Sequence, residues 1–86
     1  MIRKDYIILA PEGIHARPAA ALVKLARGFK AAVYLIKGDK TVRLNSLLNL
    51  LQIGAKGGDT ITISIEGEDE GLAAAALDQF FNELKA

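Results

Sequence analysis

Asp59-Thr60-Ile61-Thr62-Ile63-Ser64-Ile65-Glu66 alternates without a break: isoleucine stands at 61, 63 and 65, and Thr, Ser or an acidic residue stands between. A period of two is that of a strand with one apolar face and one face towards water. The chain is therefore expected to form a sheet covered on one side only, an open-faced sandwich, and the flanking segments must supply the cover.

After this strand, Glu66-Gly67-Glu68-Asp69-Glu70 is acidic. Its spacing is not that of a Ca²⁺ loop, and capping explains it better, with Asp69 at the N-cap of a last helix and Glu70 favoured by the dipole. That helix offers Leu72 or Ala73, Ala76, Leu77, Phe80, Phe81 and Leu84 to the core. Before the strand, Ala55-Lys56-Gly57-Gly58 reads as a turn. Ser46 is suited to cap a short helix from Leu47 to about Ile53. Leu47, Leu48 and Leu51 fall on one side of that helix, and Leu50 and Ile53 on another. One sheet cannot cover both sides, so either the helix is buried all round or one face is left exposed as an apolar docking patch.

A hairpin precedes it, with strands 32–37 and 41–44 around Gly38-Asp39, a Gly-first pair suited to a type II′ turn. A first helix should run from about residue 17 to Arg27, with Gly28 as a left-handed C-cap. On it Pro18, Leu22, Leu25 and Phe29 cluster on one side, and Arg17, Lys24 and Arg27 on the other. Residues 2–9 read as a first strand, stopped by Pro11 and Gly13. The order strand, helix, two strands, helix, strand, helix gives an α+β domain without repeat or linker, so residues 1–86 are expected to form a single domain.

With 86 residues the chain is near the size at which roughly 60% of the unfolded surface can be buried. Eleven basic and 10 acidic side chains leave a formal charge of +1, which gives no nucleic-acid footprint and no membrane-surface helix. There is no cysteine to form a disulfide, and the apolar run from Tyr6 to Leu9 is too short for a signal or membrane segment. A cytoplasmic protein without a cofactor is the natural expectation.

Chemistry concentrates in Gly13-Ile14-His15-Ala16-Arg17-Pro18-Ala19-Ala20, which joins the chain's one histidine to a helix start. Pro18 suits the first helical position, which puts Arg17 at the N-cap. None of residues 15–17 is a Ser, Thr, Asp or Asn, so no favoured capping side chain competes for the free amides of the first turn. Those amides, the positive end of the helix dipole and the Arg17 guanidinium make a pocket suited to a phosphate on or beside His15. Cationic surroundings favour the neutral, nucleophilic imidazole. A transition-metal site is poorly supported, since there is no Cys and no second His. A hydrolytic triad is equally weak.

The string Gly-Ile-His-Ala-Arg-Pro-Ala resembles the active-site signature of the HPr family, the histidine-containing phosphocarriers of the phosphoenolpyruvate-dependent sugar phosphotransferase system. The likeness extends to Asn45-Ser46-Leu47-Leu48, to the glycine-containing turn at 54–58 and to Gly67-Glu68-Asp69-Glu70. It implies four antiparallel strands with three helices on one face. It implies that His15 takes a phosphoryl group at Nδ1 from enzyme I and gives it to sugar-specific enzyme IIA domains, with Arg17 and the amides at Ala16 to Pro18 stabilising it and no metal on this chain. It implies a partner surface of Ala20, Lys24, Arg27, Leu47, Leu48 and Leu51, and regulation at Ser46 by an ATP-dependent HPr serine kinase. A monomer is expected. Asn45 and Asn49 lack the basic character seen in several sugar-pathway members, and Asn45-Ser46 also resembles nitrogen-branch paralogues, so a regulatory relative that acts by binding partner proteins stays open beside the sugar carrier. An RNA-binding sheet would need aromatics on the open face, where this strand has Thr60, Thr62 and Ser64.

Overall fold

Residues 1–84 are described by a computed structural model. Among them the order is β1 (Ile2–Ile7), α1 (Ala16–Arg27), β2 (Ala32–Lys37), β3 (Lys40–Arg43), α2 (Leu47–Gln52), β4 (Thr60–Glu66) and α3 (Glu70–Glu83). The four strands form one antiparallel sheet in the order β1-β4-β2-β3. This is the expected α+β open-faced sandwich.

The alternating strand lies inside the sheet. Ile61, Ile63 and Ile65 of β4 are buried, in register with Leu35 and Val33 of β2. Over that face pack Ala19, Leu22, Val23 and Ala26 of α1, Leu50 of α2, and Ala73, Leu77 and Phe81 of α3. No charged or polar side chain is buried among the described residues, so the core is held by apolar burial, about 1.5–3 kcal/mol for each large side chain. The opposite face stays open. Arg3, Asp5 and Ile7 stand across from Ser64, Thr62 and Thr60, and Thr62 Oγ1 donates to Asp5 Oδ1 at 2.6 Å. Tyr34 and Ile36 of β2 share this open face with Ser64 and Thr62. No helix among the described residues is long and apolar enough to cross a membrane.

Several boundaries differ from those expected. β1 ends at Ile7 rather than residue 9: Ile8 gives its amide to Asp59 at 2.9 Å and takes one from Gly58 at 2.8 Å, and the chain then turns. β4 starts at Thr60, since the Asp59 carboxylate turns back to accept from the Lys56 amide at 2.8 Å. β3 runs one residue earlier than expected, with Lys37 opposite Lys40, which leaves Gly38 (φ 61°) and Asp39 as a two-residue turn.

Gly28 is right-handed (φ −73°), not the left-handed cap expected. The end of α1 is closed instead by tightened bonds from Gly28 to Leu25 (3.1 Å) and from Phe29 to Ala26 (3.3 Å). The buried stripe of α1 is Ala19, Leu22, Val23 and Ala26, with Pro18, Leu25 and Phe29 only half-buried. Weighting bulky residues alone misplaces this stripe, because the small alanines are what let the helix sit close. On α3, Ala73 is buried and Leu72 exposed. Asp69 does hold the N-cap position of α3, yet its carboxylate makes no bond to its own helix. It accepts instead from the amides of Lys30 (2.9 Å) and Ala31 (2.8 Å), ahead of β2, and these bonds hold its carboxyl below the usual range.

Candidate functional site

The loop before α1 is shaped by backbone contacts. Gly13 donates to the Ala10 carbonyl at 2.9 Å, closing a turn with Pro11 and Glu12 at its corners. Gly13 itself has φ +70°, and a Cβ there would lie 2.2 Å from the Ala55 carbonyl oxygen. The next amide, that of buried Ile14, donates to the same oxygen at 3.0 Å. The partner segment is itself braced. Lys37 Nζ donates to the Gly54 carbonyl at 3.2 Å and stands 3.3 Å from Asp59 Oδ2. The bond from the Lys56 amide, with Lys37 beside it, keeps the Asp59 carboxyl below its ordinary value.

His15 follows as the N-cap of α1, in extended conformation (φ −93°, ψ −171°). Its carbonyl accepts from Ala19 at 2.9 Å, the first bond of the helix, and its side chain caps nothing. The helix starts at Ala16, so Arg17 is its second residue rather than its cap, and Pro18 its third rather than its first. Pro18 is tolerated there because the third amide of a helix is also without an intrahelical partner. Only Ala16 and Arg17 then carry free N–H groups in this turn, since Pro18 has none. Neither finds a protein acceptor among the described residues, and no acidic side chain lies in the first turn.

The His15 ring remains 42% exposed, and the side chain of Arg17 is in solvent. An accessible imidazole thus stands at the positive end of α1 beside two free amides, a setting that favours an anion, and Arg17 of the same turn carries its charge in solvent. The motif around His15 carries only a cationic side chain, that of Arg17. The structure adds Glu12, whose Oε2 lies 3.3 Å from His15 Nε2. The signal available for it was Pro11-Glu12-Gly13, a proline-cornered turn that folds position 12 towards 15.

The second helix divides its leucines. Leu50 and Ile53 are buried, whereas Leu47, Leu48 and Leu51 are 38%, 65% and 37% exposed. One face is covered and the other is an apolar patch in solvent. Ala20, Val23, Lys24 and Arg27 of α1 line a shallow groove together with Leu47, so the basic stripe and the leucine patch are continuous. Ser46 caps α2, its Oγ accepting from the Asn49 amide at 3.3 Å.

The chain matches, over residues 2–83, the family described as PTS HPr component phosphorylation site. It is 39% identical over 85 residues to the phosphocarrier protein HPr of Buchnera aphidicola subsp. Acyrthosiphon pisum, covering 99% of this chain and 100% of that protein. It is 43% identical over 67 residues to the multiphosphoryl transfer protein of Xanthomonas campestris pv. campestris, covering 78% of this chain but only 8% of that longer protein. Among solved structures, HPr-C-His from Thermoanaerobacter tengcongensis superposes with a TM-score of 0.93 at 30% identity, covering 99% of this chain and 96% of that one.

Proposed function

The chain belongs to the HPr family, phosphocarriers rather than enzymes, and from that membership we propose that His15 accepts a phosphoryl group from phosphorylated enzyme I and passes it to sugar-specific enzyme IIA domains. The observation that carries this reading is the exposed imidazole at the N-cap of α1, beside the unpaired amides of Ala16 and Arg17.

The His15 lone pair attacks phosphorus as the donor's nitrogen–phosphorus bond breaks, and the donor ring leaves with that electron pair. In the onward step His15 becomes the leaving group. The transition state is loose, so the protein's task is to position the reactants and to stabilise charge on the moving oxygens. Arg17 and the amides of Ala16 and Arg17 serve this purpose, and Pro18 fixes the first turn. Partners dock on Ala20, Lys24, Arg27, Leu47, Leu48 and Leu51. An HPr serine kinase would add about two negative charges at Ser46, on the edge of that surface, and repel an acidic partner. The carrier works as a cytoplasmic monomer and needs no cofactor of its own.

Asn45 and Asn49 on either side of Ser46 favour a second reading, a nitrogen-branch or regulatory paralogue acting through partner binding. The rate of transfer to a sugar-specific acceptor separates the two: fast transfer supports the sugar carrier, and slow transfer with intact charging supports the paralogue. The test of the main reading is incubation with enzyme I and phosphoenolpyruvate, followed by mass measurement. A gain of one acid-labile phosphoryl group is expected, and no gain, or an acid-stable one, contradicts the reading.

A further inference from the structure

Glu12 lies outside the motif that marks the family, yet among the described residues its carboxylate is the one acidic group within salt-bridge distance of His15, with Oε2 3.3 Å from Nε2. Its place is fixed by the main chain. The turn closed by Gly13 and Ala10 holds position 12, and Gly13 is in turn pressed against the Ala55 carbonyl. A neutral imidazole carries one N–H and one lone pair, on opposite nitrogens. A carboxylate beside Nε2 attracts an N–H there and repels a lone pair, so it selects the tautomer with the proton on Nε2.

We infer that Glu12 is a positioning residue for the phosphoryl transfer, holding the ring proton on Nε2 so that Nδ1 carries the lone pair that attacks phosphorus. This rests on the reading of His15 as the phosphoryl acceptor. During attack the Nδ1–P bond forms and the donor's N–P bond breaks, with the electron pair going to the donor nitrogen. The proton stays on Nε2, so the phosphorylated ring gains a positive charge facing the Glu12 carboxylate. When the group moves on, the electron pair of the Nδ1–P bond returns to the ring and that charge is lost.

Glu12 is 79% exposed and the ring 42%, so solvent screening limits the effect to about three- to fivefold in rate. The test combines two readouts on wild type, Glu12→Ala and Glu12→Gln. Nitrogen-15 NMR of the ring at alkaline pH gives the tautomer ratio without any partner. Labelling by phosphoenolpyruvate and enzyme I gives the transfer rate. The expected result is an Nε2–H population higher in wild type than in Glu12→Ala, with labelling of Glu12→Ala slowed about three- to fivefold and its thermal unfolding unchanged. Glu12→Gln, which keeps an acceptor oxygen but not the charge, falls between the two, and 1 M salt narrows the gap. An unchanged tautomer ratio in Glu12→Ala, or labelling as fast as wild type or faster, overturns the inference. If wild type itself is not labelled, the acceptor reading fails, and the NMR ratio still decides whether Glu12 sets the tautomer.

Discussion

Ile14 gives its amide to the Ala55 carbonyl at 3.0 Å, so the residue just before the histidine is tied to a segment 41 positions away in sequence. The same oxygen leaves no room for a side chain at residue 13, where φ is +70°. Gly13→Ala should therefore cost at least about 2 kcal/mol in urea unfolding and also slow phosphoryl acceptance, because relief of the clash must move the His15 loop. Gly71→Ala is the contrast. A Cβ at Gly71 meets nothing within 4 Å, and the helical position predicts a gain of up to about 1 kcal/mol with unchanged transfer.

The leucines of α2 predict two opposite phenotypes. Leu48→Asp, at an exposed position, should leave the unfolding midpoint nearly unchanged while weakening partner binding in a titration with enzyme I. Lys24→Glu should do the same through charge. Leu50→Ala, at a fully buried position, should cost about 2–5 kcal/mol. Loss of binding confined to Leu50→Ala would argue against a docking patch.

Ser46 separates capping from regulation. Ser46→Ala removes the acceptor for the Asn49 amide and should cost about 0.5–1 kcal/mol in urea unfolding, with transfer little changed. Ser46→Asp keeps a good capping oxygen and adds charge beside Leu47 and Leu48. It should hold stability while slowing transfer from enzyme I, and equal rates for Ser46→Asp and wild type would remove the regulatory role.

The link between β1 and α3 predicts the shape of the pH–stability curve. Bonds from Lys4 (2.7 Å) and Tyr6 (2.9 Å) hold the Asp78 carboxyl below its usual value. A depressed folded-state pKa contributes stability above the unfolded value of about 4, and this is lost as pH falls through the lower folded one. Asp59 and Asp69 act in the same sense. Burial, and then Asp78, push the Tyr6 hydroxyl up to about 12, so its contribution is complete below its ordinary value of 10.0 and disappears as pH rises through about 12. Urea midpoints measured across pH should fall at both ends. Tyr6→Phe should flatten the alkaline arm, and Asp78→Asn part of the acid one.

The elements were legible where one period dominates. Ile61, Ile63 and Ile65 announced β4, and the split of Leu47, Leu48 and Leu51 from Leu50 and Ile53 announced a helix with two apolar faces, although only packing could say which face stays bare. The features that were missed depend on contacts between distant segments. Asp69 looks like a cap for α3, but its carboxylate is claimed by the Lys30 and Ala31 amides, 39 and 38 positions away. Helix α1 starts at Ala16 because the Ile14–Ala55 bond hands the chain to His15 already extended, and no local preference of Pro18 could reveal that. Glu12 is not legible from the helix that follows His15, because the turn that folds position 12 back lies on the other side of the histidine.

The decisive comparison is the rate at which phosphoenolpyruvate and enzyme I label wild type, Arg17→Ala and His15→Ala, each first checked for an unchanged unfolding midpoint. The account predicts one acid-labile phosphoryl group on wild type, labelling of Arg17→Ala slowed roughly tenfold or more, and none on His15→Ala. Labelling of His15→Ala at the wild-type rate would contradict it.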